Sequence, residues 1–254
     1  MRRVIPILAL LSSQVFAGSQ AVISKHRASA PATANLLNET FTNVVGGYSS
    51  SGWTEPGSGG TADEDAEAAD GCGTGTGWAG DCLKISLPSN FDAQKATNAF
   101  SAQTGDLWFH GRLKDDYTIG TDAEAGAVAV GVVALSDSVA AFGQGGMDVR
   151  ILRVSSIDYR IRVFGGSVGT LVDFTYTTGS QICLELHMNN TSGAWGVWVG
   201  GSLVAEHAYS GAWAVSGGVT NLYLGATVTQ PTGASQTQYW DEVQISTEGR
   251  LECL

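Results

Sequence analysis

A chain of 254 residues with a formal net charge of -11 and 15% charged residues carries no basic block, which argues against a protein that tracks a phosphate backbone. Its 34 glycines follow no three-residue period, so a collagen helix is excluded, and they cluster between apolar runs as hairpin turns do. The 7 Trp and 7 Tyr supply flat side chains that suit a core or a stacking surface equally well.

Residues 1–17 read as a secretory signal. Arg2 and Arg3 give the positive start, Val4 to Phe16 are mostly apolar, and Ala17 is a small residue at the cut. That apolar part is too short to span a bilayer, and no later run is long enough. The protein is therefore expected to be secreted or held at the cell surface. Residues 18–37 are rich in Ala, Ser and Thr and read as a linker or mobile N-terminus. A single domain is expected over 38–247, with a tail at 248–254.

A loop-rich region with many acids runs from 44 to 81. Asp63, Asp65, Glu67 and Asp70 there offer hard oxygen ligands, although a solvated acidic loop is the simpler reading. Four cysteines suit an exported chain. Cys72 and Cys82 bracket a Gly-rich loop and are the first choice for a disulfide. Cys183 and Cys253 are left either paired or both free. No two cysteines have the short spacing of a zinc site.

From there strands are expected at 82–87, 97–101, 107–114, 127–135, 148–154, 159–164, 170–175, 181–188, 196–199, 203–206, 221–228 and 238–246. Glycine-rich turns separate them, and no helical pattern interrupts. Many short strands with regular turns predict an antiparallel sandwich or barrel. In 181–188, Ile182, Leu184, Leu186 and Met188 share one face, while Cys183, Glu185 and His187 share the other. Leu107, Phe109 and Leu113 alternate likewise with Trp108, His110, Arg112 and Lys114, and Ile161 and Val163 with Arg160 and Arg162. Side by side, these strands would present rings, cations and carboxylates together. The candidate ligand-binding set is Trp108, His110, Arg112, Arg160, Arg162, Glu185 and His187, with Trp195 from the next strand. Sugars stack their C–H faces on rings and give their hydroxyls to bidentate partners. An ordinary solvated sheet face is the competing reading.

Three pieces carry a family resemblance. They are the opening Glu39-Thr-Phe-Thr-Asn-Val-Val-Gly-Gly-Tyr with Ser-Gly-Trp-Thr-Glu at 51–55, the paired strands over 184–204, and the closing Tyr239-Trp-Asp-Glu-Val-Gln-Ile-Ser246. In order and spacing they resemble the concanavalin A-like lectin/glucanase superfamily, of the laminin-G-like kind. The resemblance implies an all-β, two-sheet antiparallel jelly-roll sandwich that binds carbohydrate on its concave face. It also implies a structural calcium ion tying the opening strand to the last. Asp241 would be a ligand, completed by Glu39 or by the backbone at 46–47; alternatively Asp241 caps a turn.

This fold hosts lectins, hydrolases, lyases and adhesion modules, so the site must decide. Non-catalytic recognition of a polysaccharide or glycoconjugate is the leading expectation. A polysaccharide lyase acting on an anionic glycan is the alternative, with His187 or a tyrosine as base, Arg112 neutralising the uronate and Glu185 beside them. Alginate-lyase relatives carry Gln-(Ile/Val)-His, and the nearest triplet here is Glu185-Leu186-His187. The Glu-x-Asp-x-x-Glu of laminarinase-type hydrolases is absent. A structural or adhesive surface protein is the third class. Gly75-Thr-Gly-Trp-Ala-Gly80 precedes a strand rather than a helix, and Gly165-Gly-Ser-Val-Gly169 sits between strands. Neither dinucleotide binding nor a nucleophile elbow therefore follows. Asn38 and Asn189 stand in glycosylation sequons.

Overall fold

The computed structural model describes residues 35–39, 41, 53–54, 61–65, 82–87, 95–118, 129–136, 146–153, 159–165, 169–177, 179–207, 217–225 and 235–253. All belong to one compact unit, Pro31–Leu254. Their regular structure is entirely β. The strands are β1 (Asn35–Glu39), β2 (Trp53–Thr54), β3 (Thr61–Asp65), β4 (Cys82–Leu87), β5 (Lys95–Gln103), β6 (Asp106–Thr118), β7 (Ala129–Ser136), β8 (Met147–Arg153), β9 (Tyr159–Gly165), β10 (Gly169–Tyr176), β11 (Gln181–Asn189), β12 (Trp195–Val199), β13 (Ser202–His207), β14 (Val219–Gly225) and β15 (Ser235–Ser246).

They form a two-sheet antiparallel jelly-roll sandwich. One sheet of eight strands runs β13-β12-β11-β6-β15-β4-β3, with β1 also paired to β15; the other, of seven, runs β10-β9-β8-β7-β14-β5-β2. Strong period-two alternation explains the layering. Leu107, Phe109, Leu113, Leu184, Leu186 and Met188 from one sheet join Val149, Ile151, Ile161, Val163, Leu222 and Leu224 from the other in a single buried cluster. Phe109 meets Trp240 edge-on, with ring centroids 6.0 Å apart at 79°. A Cβ on Gly111 would lie 2.8 Å from the Phe109 ring, so glycine lets that pair close. Tyr176 ties the sheets across the core. Its hydroxyl on β10 accepts the Asp115 N–H of β6 at 3.1 Å and faces the Asp115 and Ser180 carbonyls at 3.2 Å.

Two tight turns set the register of the β11-β12-β13 meander. Asn189 Oδ1 accepts the N–H groups of Thr191 and Ser192 at 3.0 and 2.8 Å. Gly200 and Gly201, both at positive φ (55° and 79°), make the two-residue turn into β13.

Several expectations shift. β1 begins at Asn35, ahead of the expected start at 38, because Leu36 and Leu37 pack on the core. The region 44–81 contains β2 and β3 rather than loop alone. Asp63 and Asp65 lie in β3, at the end of the strand order of the eight-stranded sheet. Glu67, Asp70, the signal sequence and the glycine motif at 75–80 lie outside the described residues. No helix among the described residues is long and apolar enough to cross a membrane.

Candidate functional site on the outer face of the eight-stranded sheet

The antiparallel register gathers most of the candidate residues. β11 lies beside β6, with His187 opposite Trp108, Glu185 opposite His110 and Cys183 opposite Arg112. Their neighbours in the same rows are Trp198 of β12, opposite Glu185, and Asp241 of β15, opposite Arg112. Five of the expected residues (Trp108, His110, Arg112, Glu185 and His187) therefore share one face.

Three others do not. Arg160 and Arg162 belong to β9 in the seven-stranded sheet, where they alternate with the core residues Ile161 and Val163. Arg162 pairs with Asp173 there at 2.7 Å. Alternation tells which side of a strand a residue takes, but it does not tell which sheet the strand joins. Trp195 stands opposite Met188, on the inner side, and is part of the core cluster. The outward tryptophan of β12 is Trp198, which the alternation of Trp195, Val197 and Val199 with Gly196 and Trp198 could have revealed.

A β-bulge adds an unexpected carboxylate. Between Asp241 and Gln244 the register of β15 slips, so Glu242 and Val243 together span Gly111. Glu242 sits at φ 48°, a strained conformation for a residue with a Cβ. Val243 then enters the core, while Glu242 turns outward to accept a hydrogen bond from Arg112 Nε at 2.6 Å.

The middle of the face is covered by the protein's own C-terminal segment. Cys253 is disulfide-bonded to Cys183, with Cα atoms 6.1 Å apart, so the paired alternative for these two cysteines holds. Cys82 is also disulfide-bonded, while Cys72 lies outside the described residues. Arg250 Nε donates to Glu185 Oε2, and its Nη2 reaches Glu185 Oε1 at 3.2 Å and the Gly201 carbonyl at 2.9 Å. The Cys253 N–H also donates to Glu185 Oε1, at 3.1 Å. The Leu251 carbonyl lies 3.1 Å from His110 Nδ1. Glu185 is consequently only 1% exposed although it projects from the outer face. Burial depresses the pKa of His110, and the Leu251 carbonyl and the charges of Glu185 and Glu242 only partly restore it. The ring is thus neutral at pH 7, with its Nδ1 proton given to Leu251.

At the Asp106 end the face is aromatic and more open. His187 stacks on Trp108, centroids 4.0 Å apart, and Trp198 lies 5.7 Å beyond. The Arg250 guanidinium covers Trp198 at 4.8 Å. Gly196 makes room for this ring, since a Cβ there would be 2.4 Å from Trp198 Cη2. Asp106 accepts from Asn189 Nδ2 at 2.9 Å and meets His187 Nε2 at 2.8 Å. Partial burial pushes its pKa up, but the hydrogen bonds from Asn189 and His187, with the His187 charge, bring it below the usual value. At the opposite end Lys114 sits over the Tyr239 ring at 5.0 Å.

Glu39 and Asp241 are engaged locally, Glu39 Oε1 accepting the Phe41 N–H at 2.9 Å and Asp241 Oδ1 the Glu242 N–H at 2.7 Å. Neither belongs to a cluster of three or more metal-ligating side chains among the described residues, and 46–47 lie outside them. One such cluster does occur under the C-terminal segment, formed by His110, Cys183, Glu185 and Cys253.

No family model and no curated protein matches the chain. Solved structures do. A sialidase superposes with a TM-score of 0.56 at 13% identity, over 85% of this chain and 18% of its own. An alginate lyase in complex with an alginate trisaccharide gives 0.52 at 13% identity, over 85% of this chain and 99% of its own. A botulinum neurotoxin type C structure, described as dependent on two ganglioside molecules for cell entry, gives 0.50 at 8% identity, over 84% and 48%. The chain thus spans less than half of the sialidase and neurotoxin chains. At these identities the likeness shows a shared β-sandwich fold, one also found in carbohydrate-binding proteins.

Proposed function

We propose that this domain is a secreted, non-catalytic carbohydrate-binding module of concanavalin A-like type that recognises a polysaccharide or glycoconjugate. The supporting observation is the half-buried stack of Trp108 and His187, backed by the buried Trp198, beside the hydrogen-bonding pair Asp106 and Asn189. A pyranose laid on Trp108 keeps its C–H face on a ring and points its hydroxyls at amide and carboxylate oxygens. The neighbouring structures include a ganglioside-dependent toxin and an alginate-bound lyase, which agrees with a glycan ligand. Export fits the Cys183–Cys253 disulfide. The test is a glycan array followed by calorimetry. The native chain is expected to bind, and Trp108→Ala to weaken binding about tenfold or more. Absence of binding to every glycan at millimolar concentration would sink the reading.

A second reading, β-elimination of an anionic glycan, draws on the alginate lyase whose chain this one spans almost completely. His187 would be the base and Arg112 the neutralising cation, both on the proposed face. Incubation with alginate and glucuronan, followed at the unsaturated-uronide absorbance, tests it; silence across a uronate panel removes it. A structural calcium at Glu39 and Asp241 is a separate proposal. Chelator dialysis would lower the unfolding midpoint if the ion is present, and would leave it unchanged otherwise.

A further inference from the structure

Where the C-terminal segment meets the sheet face four ligand-bearing side chains converge, Cys253 from the segment itself, and the aromatic site of the proposed glycan reading uses none of them. One ligand atom from each of His110, Cys183, Glu185 and Cys253 can be chosen so that all lie within 4.8 Å of one another. In the structure the two sulfurs are bonded to each other and so are poor ligands. We propose that, once this disulfide is reduced, the same four side chains bind a single zinc-class divalent ion, so that disulfide and metal are alternative locks on the C-terminal segment.

The geometry favours this in three ways. First, the spacing needs little change. Tetrahedral zinc with Zn–S near 2.3 Å holds two thiolates about 3.8 Å apart. Two reduced sulfurs starting from bond distance relax to about that separation by side-chain rotation and a small shift of the irregular segment at Cys253, with β11 in place. Second, the outer shell is already built. A carbonyl can only accept, so the Leu251 oxygen at 3.1 Å holds the His110 proton on Nδ1 and leaves Nε2 its lone pair. Glu185 is oriented by Arg250 and by the Cys253 N–H, as ligating carboxylates are by their supporting hydrogen bonds. Third, the charge is matched. Two thiolates and a carboxylate against a divalent ion leave one negative charge, and the Arg250 guanidinium lies on Glu185. The donor set of two sulfurs, an imidazole and a carboxylate suits zinc better than calcium.

The electron balance is simple. The Sγ–Sγ bond breaks to two thiols as a dithiol supplies two electrons and two protons and closes its own disulfide, or as a phosphine supplies two electrons, takes oxygen from water to become the phosphine oxide, and leaves the water's two protons on the sulfurs. Each cysteine thiol then gives its proton to solvent as the ion binds.

The experiment uses the full chain, reduced with a phosphine under anaerobic conditions and titrated with Co2+ and then Zn2+. The expected result is a stoichiometric thiolate-to-cobalt charge-transfer band that zinc displaces. It should be absent from the oxidised chain and from Cys183→Ser, and present in Cys72→Ser/Cys82→Ser. His110→Ala should weaken binding about tenfold or more. A reduced chain without the band, or a band that survives in Cys183→Ser or vanishes in Cys72→Ser/Cys82→Ser, overturns the proposal. Near-UV circular dichroism on the same samples reports folding, and loss of fold on reduction that zinc does not restore overturns it as well. Glycan binding enters none of these readouts, so the two proposals fail separately.

Discussion

Arg250→Ala tests whether the C-terminal segment is integral to the fold. Glu185 projects from the outer face of β11 yet is only 1% exposed, and Arg250 is its ion-pair partner, on a side chain that is 24% exposed. Removing one partner of a buried pair strands the other charge, at a cost of about 3–5 kcal/mol. Solvent reaches the guanidinium, so the lower end of that range, about 3 kcal/mol, is expected for Arg250→Ala; this includes the contact over Trp198. Glu185→Gln should cost less, because a neutral amide tolerates the site better. The double variant should recover about 2 kcal/mol of the summed losses, since no stranded carboxylate remains. Urea unfolding followed by tryptophan fluorescence, in a double-mutant cycle, measures all three. A loss below about 1 kcal/mol for Arg250→Ala, the range of a solvated surface pair, with no coupling to Glu185, would refute a buried latch.

Gly196→Ala should push Trp198 off its seat, costing about 1–3 kcal/mol of stability and weakening any glycan affinity, read by urea midpoint and calorimetry; unchanged values would show that the ring does not lie there. The depressed His110 pKa means the unfolded chain binds more protons, so its contribution is complete above about pH 6.5 and fades as pH falls below that. Urea midpoints should therefore drop between pH 7.5 and 5.5, less steeply in His110→Gln, and a rise on acidification would contradict the buried neutral ring. Tyr176→Phe removes the hydroxyl that joins β10 to Asp115, and should cost about 1–2 kcal/mol by thermal or urea unfolding.

The alternation in 107–114 and 181–188 was legible because each strand buries one face and wets the other. Leucines and phenylalanine entered the core, and the polar rows came out on one surface. Long-range strand order was not legible. Arg160 and Arg162 have the right alternation, yet β9 joins the other sheet, and no local pattern records that choice. The bulge at Glu242 was hidden for a related reason: strict period two would send that side chain inward, and only the positive φ reverses it. The fate of residues 248–253 is the least legible part. They show no periodicity, so Cys253 was the sole signal that this segment is fastened, and nothing in the sequence announced that Arg250 would meet Glu185.

The fastening changes what the sheet face offers. Of the cations that looked available to an acidic sugar, Arg112 meets Glu242 and Arg162 meets Asp173. A uronate arriving at the middle of the face would have to displace Glu242 from Arg112, after removing the segment that covers Glu185. At the other end it would meet Asp106, which is 52% exposed and held ionised by Asn189 and His187. Both costs fall on charge and neither falls on hydroxyls. A neutral pyranose on Trp108 keeps the stacking contact, donates its hydroxyls to the Asp106 carboxylate, and leaves every internal ion pair in place. Under the proposed glycan reading, the same pairing that makes the polar row look catalytic in the sequence therefore favours an uncharged sugar over a uronate.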